Sequence, residues 1–226
     1  MNRRKLIFGG VGLTALATPG VGRAGDTMAP PAIPAAQQRK EESMYRPGQY
    51  PIAFVGGTMG TWHVERLTSI VGETLPTVEK IAVHAGELSF PVGAWTLRGV
   101  AGHARYVERS EKGPLDALSP PLARNEATNA ALIPIRKSPQ WWALPQDERR
   151  AIFEAHSRHI ADSIKYLPRI ARRLYHSRDL GEPFDFLTWF EFAPEHAQAF
   201  DDLVEMLRSR EEWNFVDREV ELRLAR

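Results

Sequence analysis

The sequence predicts an α+β protein whose second half is a complete ferredoxin-like unit and whose first half is mostly β. Three observations lead there. Short β-rich runs broken by Gly and Pro fill residues 50–108, and no strong amphipathic helix appears before about residue 145. From residue 131 the predicted order is β-α-β-β-α-β, the split unit of ferredoxin-like folds. Its two helices cover one face of an antiparallel sheet, and the β-rich first half is the candidate cover for the other.

The elements follow in order. Residues 1–24 (MNRRKLIFGGVGLTALATPGVGRA) have a basic start, an apolar run interrupted by Gly and Pro, and small residues before a cut after Ala24. They read as a cleaved export signal, and Arg3-Arg4 suggests the twin-arginine route. A membrane anchor needs a longer unbroken apolar span. The expected location is therefore periplasmic or exported, without stable membrane insertion after cleavage. Residues 25–48 are rich in Pro, Ala and charge and read as a flexible leader. Residues 49–130 form the reduced β-rich half: the runs IAFVGG, TWHVERLTSIV, TVEKIAVHAG and GAWTLRGVAGHARYVE read as strands, and 110–130 as a long connection.

Residues 131–226 form the second domain. ALIPIRK (131–137) reads as a strand. Residues 145–164 read as one helix, with Pro145 at its start and acidic residues in its first turn. Residues 166–176 and 184–192 read as strands. Residues 194–210 read as a helix with Ala199, Phe200, Leu203, Val204 and Leu207 at helical spacing, and 212–224 as the closing strand.

Charge and composition exclude some classes. The chain has 29 Lys and Arg against 28 Asp and Glu, a net charge of +1. Without residues 1–24, which hold four of the basic residues and no acidic ones, the balance is 25 against 28, or −3. No basic excess points to nucleic acid. The chain has no cysteine, so disulfides, thiolate catalysis and cysteine-ligated metals are excluded.

Two features carry chemistry. In the strand 166–176, Arg172 lies between Ile170 and Leu174 on the more apolar side, with Tyr166, Pro168 and His176, while Leu167, Arg169, Ala171, Arg173 and Tyr175 make a mixed side that reads as half-solvated. A buried guanidinium keeps its charge and needs a partner. It either pairs with a carboxylate such as Glu191 or Glu205, or points into a cavity that receives an anion. In the preceding helix, Ile152, His156 and His159 are spaced i, i+4, i+7, which puts both histidines on the apolar face. The stretch reads HSRH rather than HExxH, so zinc is weakly supported. One imidazole suffices for haem iron if a carboxylate or carbonyl accepts its other N–H. His63, His84, His103, His176 and His196 read as surface or strand residues.

The run from Trp141 to Phe192 holds a Trp pair, an ER pair leading a helix to His, a YL strand with an Arg, LYHS, DF and an FE pair, and a closing E-x-x-F follows at 212–215. This order resembles the chlorite dismutase family, haem b proteins of the dimeric α+β barrel fold. In outline the resemblance covers residues 50–226. It implies an iron-containing haem b cofactor, conversion of the small anion chlorite to chloride and dioxygen, and a homo-oligomer. Carried over by position, the proximal ligand counted back from Tyr166-Leu167 is His159 and the distal arginine is Arg172. Counted forward from the Trp pair, the ligand is His156, because three extra residues lie between the two anchors. The first count also delivers Arg172 and is preferred. Glu212, three before Phe215, matches the carboxylate that accepts the ligand's N–H, and Trp141 and Trp142 match tryptophans beside the haem. The family places helices in its first half, where this chain has a Pro-rich connection, so residues for the haem propionates are not located. The alternative to the enzyme is an exported haem-binding carrier, sensor or relic without chlorite activity, separated by oxygen release. A coprohaem decarboxylase is disfavoured by Arg172 and by export. A structural barrel without haem would show no Soret band.

Overall fold

Eight antiparallel strands close into a barrel in the computed structural model, which describes residues 51–86, 91–101 and 105–226. The predicted signal, the leader and His103 lie outside these residues. The strands are β1 Pro51–Gly57, β2 Trp62–Val71, β3 Lys80–Ala85, β4 Trp95–Val100, β5 Asn129–Lys137, β6 Ile170–His176, β7 Phe186–Phe192 and β8 Val216–Ala225. Their order around the barrel is β1-β3-β2-β8-β5-β7-β6-β4.

Each half contributes four adjacent strands in the same internal order. The first half runs β4-β1-β3-β2 and the second β8-β5-β7-β6, both the ferredoxin-like order 4-1-3-2. The halves meet at β2–β8 and at β4–β6. The fold class expected from the sequence is thus the fold observed.

Strand alternation separates two cores. Phe54, Trp62, Leu132, Trp189 and Leu222 point into the barrel, where the Phe54 and Trp189 rings stack at 5.3 Å. On the outer face of the second half, Ile133, Ile170, Phe190 and Phe192 meet Phe200, Leu203 and Leu207. These three belong to the helix Ala197–Arg208, which matches the predicted apolar period.

Five expectations need correction. Residues 110–130 are not all connection: helix α1 covers Arg109–Leu118, opened by a reciprocal cap between Glu108 and Glu111. It buries none of its own residues and contains Pro114, so it carries no apolar period. The single helix expected over 145–164 is broken in two, and a further short helix precedes it. After α2, Pro139–Ala143, comes α3, Gln146–Arg150, which runs into a π-turn, Ala151–His156, and stops at Ser157. Arg158 is left-handed (φ 51°, ψ 37°), and α4 restarts at His159–Ser163. The last helix, Ala197–Arg208, is then α5. β6 starts at Ile170, because 164–166 form a 3₁₀ turn. Its side read as half-solvated faces the barrel, with Ala171 and Tyr175 buried. Finally, Glu212 precedes β8 on a 3₁₀ turn, Glu211–Phe215.

Candidate functional site

A cavity of about 330 Å³ opens between the outer face of the second-half sheet and its helices. Its floor comes mainly from residues of one parity: Ile133, Ile135 and Lys137 on β5, Arg172, Leu174 and His176 on β6, and Phe186, Thr188 and Phe190 on β7; Arg173, of the other parity on β6, also reaches the lining. Trp141, Phe153, His159, Glu212 and Trp213 close one side. The first half adds Arg105, Tyr106 and Val107, with Leu115 and Ser119 from α1 and its end. The cavity is mostly apolar with a few polar groups, as expected of a small-molecule or cofactor site.

The break at Arg158 separates the two histidines that a continuous helix would align. His156 turns to solvent and its Nδ1 lies 3.2 Å from Glu211. His159 turns into the cavity wall, and its Nδ1 lies 2.8 Å from Glu212 Oε2. A carboxylate only accepts, so this contact puts the proton on Nδ1 and leaves the Nε2 lone pair as the imidazole's free ligating atom. The ring stacks on Phe153 at 4.3 Å and faces Trp213 at 6.4 Å.

Glu212 is 6% exposed and fully engaged. Lys137 Nζ donates to its Oε1 at 2.8 Å and to its backbone oxygen at 3.2 Å, while its own N–H donates to Ser157 Oγ at 2.9 Å. Burial alone would raise the Glu212 carboxyl, but the Lys137 ammonium and His159 hold it down at about 2. Lys137 was missed by the sequence reading. Its signal was there: in ALIPIRK it shares the apolar parity of Ala131, Ile133 and Ile135, so it is a cation on a buried face.

Arg172 sits on the opposite parity to the carboxylate first considered for it. Glu191 faces inward, where it accepts from Trp189 Nε1 at 2.9 Å and from the Ala123 N–H at 2.5 Å, and Glu205 is exposed. Among the described residues, Arg172 has no hydrogen bond or ion pair, and its side chain lines the cavity. Enclosure by protein lowers its pKa by desolvation, although a guanidinium stays cationic at neutral pH. The structure therefore presents an uncompensated cation to the cavity, next to Leu174, His176 and Thr188.

The tryptophans differ. Trp141 is 1% exposed, lines the cavity, and its buried Nε1 has no hydrogen-bond partner among the described residues. Lys137 Nζ lies 4.7 Å above its ring. Trp142 donates its indole N–H to buried Asp185 at 3.0 Å and is covered by Arg178 at 4.1 Å. Sequence reasoning also missed Tyr106, which adopts a left-handed backbone (φ 64°) and packs on Trp141 and Phe153. Burial raises its phenol pKa, against the opposing pull of Arg149 and Arg105. No apolar period marks this segment, so nothing in the sequence placed it at the cavity. Among the described residues, no helix is long and apolar enough to cross a membrane.

The family model for chlorite dismutase matches residues 62–226. Chlorite dismutase from Ideonella dechloratans is 30% identical over 98 residues, which are 42% of this chain and 33% of that protein. The match thus spans about a third of that curated relative's length. A crystal structure of dimeric chlorite dismutases from Nitrobacter winogradskyi is 59% identical, covers 77% of this chain and 99% of that chain, and superposes with a TM-score of 0.74. Chlorite dismutase from Candidatus Nitrospira defluvii in complex with imidazole is 22% identical, covering 83% of this chain and 95% of that chain, with a TM-score of 0.57. That last likeness is one of fold alone.

Proposed function

Because the chain belongs to the chlorite dismutase family, we propose that it binds haem b in this cavity and converts chlorite to chloride and dioxygen. The observation that carries the reading is the pairing of two groups on one cavity: an imidazole whose Nδ1 is committed to Glu212, and a guanidinium, Arg172, with no protein partner among the described residues.

The residues present fit the group. His159 would hold the iron through Nε2, with its ring stacked on Phe153 and near-parallel to Trp213. Glu212, kept ionised by Lys137, accepts the Nδ1 proton and makes the imidazole a stronger donor. Trp141 supplies an apolar wall and a free indole N–H. Trp142, by contrast, does not line the cavity: its indole N–H goes to Asp185, and its ring backs the lining Phe186 at 6.0 Å. Arg105 and Tyr106, with Arg149 beside them, would meet the carboxylates of haem, the part of the cofactor that the sequence left without a partner.

Bound haem supplies the iron centre at which oxygen is transferred. Arg172 draws the chlorite anion in, orients it by charge-assisted hydrogen bonds, and keeps the oxychlorine anion inside the cavity through turnover. The apolar floor excludes water and strengthens that attraction. We extend to this chain the dimeric state of the Nitrobacter relative, and an exported location from the residues preceding the barrel.

The purified protein titrated with haem tests the reading. A Soret band and oxygen release from chlorite are expected. His159→Ala should lose the imidazole-ligated spectrum, while His156→Ala keeps it. Arg172→Ala should keep haem and lower oxygen release by roughly a hundred- to a thousandfold, the range for losing one preorganised charge-stabilising donor. Haem binding with no oxygen release would favour a non-catalytic haem carrier or sensor.

A further inference from the structure

The left-handed break that selects His159 has a dedicated support. In a continuous helix the N–H groups of Ile160 and Ala161 would donate to the carbonyls of His156 and Ser157. Here both go to one side chain: Glu154 Oε2 accepts from Ile160 N at 2.6 Å and Oε1 from Ala161 N at 3.0 Å. Glu154 itself lies in the π-turn before the break, so its carboxylate spans the interruption and caps α4. The residue in between, Arg158, is an L residue with φ 51°. That conformation is disfavoured by its Cβ and persists only where the surroundings over-determine it. Ser157, 1% exposed, completes the arrangement by accepting the N–H of Glu212 at 2.9 Å.

We propose that Glu154 is a positioning residue: by accepting the Ile160 and Ala161 N–H groups it holds Arg158 left-handed, and so delivers His159 rather than His156 to Glu212 and the cavity. The inference rests on the reading of His159 as the iron ligand. Without Glu154, the helix regains its own hydrogen bonds by straightening, and His159 rotates away from Glu212. Glu154 never meets the cofactor; it acts through the backbone.

The test uses the full chain, with and without haem. In the haem-free protein, ring ¹⁵N shifts report the His159 Nδ1–H donated to Glu212. In the loaded protein, haem transfer to an acceptor globin gives the dissociation rate, and resonance Raman gives the iron–imidazole stretch. Glu154→Ala is expected to speed dissociation about tenfold, as for other residues that orient a metal ligand, and to lose the His159 ring signature. Glu154→Gln, which keeps one acceptor oxygen, should fall between. Arg158→Gly added to Glu154→Ala should restore dissociation to within about threefold of wild type, since glycine adopts the left-handed region without a Cβ penalty. Wild-type dissociation and an unchanged ring signature in Glu154→Ala would overturn the proposal. So would a defect that Arg158→Gly does not relieve. His159→Ala is measured alongside: wild-type haem retention there would sink the ligand reading itself, while the haem-free ring shifts would still decide the role of Glu154.

Discussion

Glu212 is shielded from water yet stays charged, because Lys137 and His159 each take one of its oxygens. Both members of the Lys137–Glu212 pair are buried, with side chains only 4% and 7% exposed. Such a pair is a poor source of net stability but a costly one to break on one side. Lys137→Met should therefore lower the urea-unfolding free energy of the haem-free protein by about 3–5 kcal/mol. Lys137→Met combined with Glu212→Leu should recover much of that loss, while haem retention stays impaired because His159 has lost its acceptor. A single variant that unfolds like wild type would mean that water reaches Glu212. The arginine of this site was legible as a residue, because Arg172 interrupts an apolar parity, whereas Glu212 was reached only through the family resemblance, by its place three before Phe215. Lys137 obeyed the same parity rule as Arg172. It was passed over because it ends its strand, where a lysine is ordinarily solvated.

Helix α5 is held to β8 by charge as well as by Phe200 and Leu207. Arg208 donates to Glu219 and Glu221, and Arg223 joins Glu221 to Asp201 on α5. Burial would raise the Glu221 carboxyl, but Arg223 and Arg208 hold it below its ordinary value. A carboxyl depressed on folding adds stability that is complete above its unfolded value, about 4.5, and that is lost as pH falls through the folded value. Glu221→Gln should thus be less stable than wild type near neutral pH, and the gap should close as pH drops below about 4.5. Urea midpoints measured across that range check it; a gap independent of pH would assign the loss to packing. At this scale the sequence read well where one periodicity prevailed, as in α5 and β5. It read poorly at 145–164, because the apolar spacing is helical throughout, while the interruption falls at Arg158, which carries no glycine signal, and the Glu154 side chain accepts the Ile160 and Ala161 N–H groups beyond it. It missed α1 because that helix buries nothing.

Around the whole barrel, the two joins between halves are unequal. β2 and β8 stay in register from His63 with Ala225 to Val71 with Glu219, across two bulges. β4 and β6 are registered at one pair, Val100 with His176. The close approach there depends on Gly99, where a β-carbon would lie 2.7 Å from Tyr175 Cβ. Gly99→Ala should lower stability by roughly 1–3 kcal/mol, the usual cost of forcing extra volume into a packed site, and a shift in thermal midpoint reads it. A side chain laces the same seam: Glu182 accepts from Arg98 Nε at 2.6 Å and from its backbone N–H at 3.2 Å. Amides on the β4-facing edge of β6 should therefore exchange with deuterium at least about tenfold faster than those between β2 and β8. Equal protection at both joins would refute this. When this seam opens, the halves stay attached along β2–β8, so the barrel uncurls into one broad sheet rather than coming apart. Its new margins, β4 and β6, then carry unpaired backbone groups that can template another chain. Cutting the Arg98–Glu182 lacing would be felt first as clumping in concentrated, warmed samples, before any loss of helix or strand content.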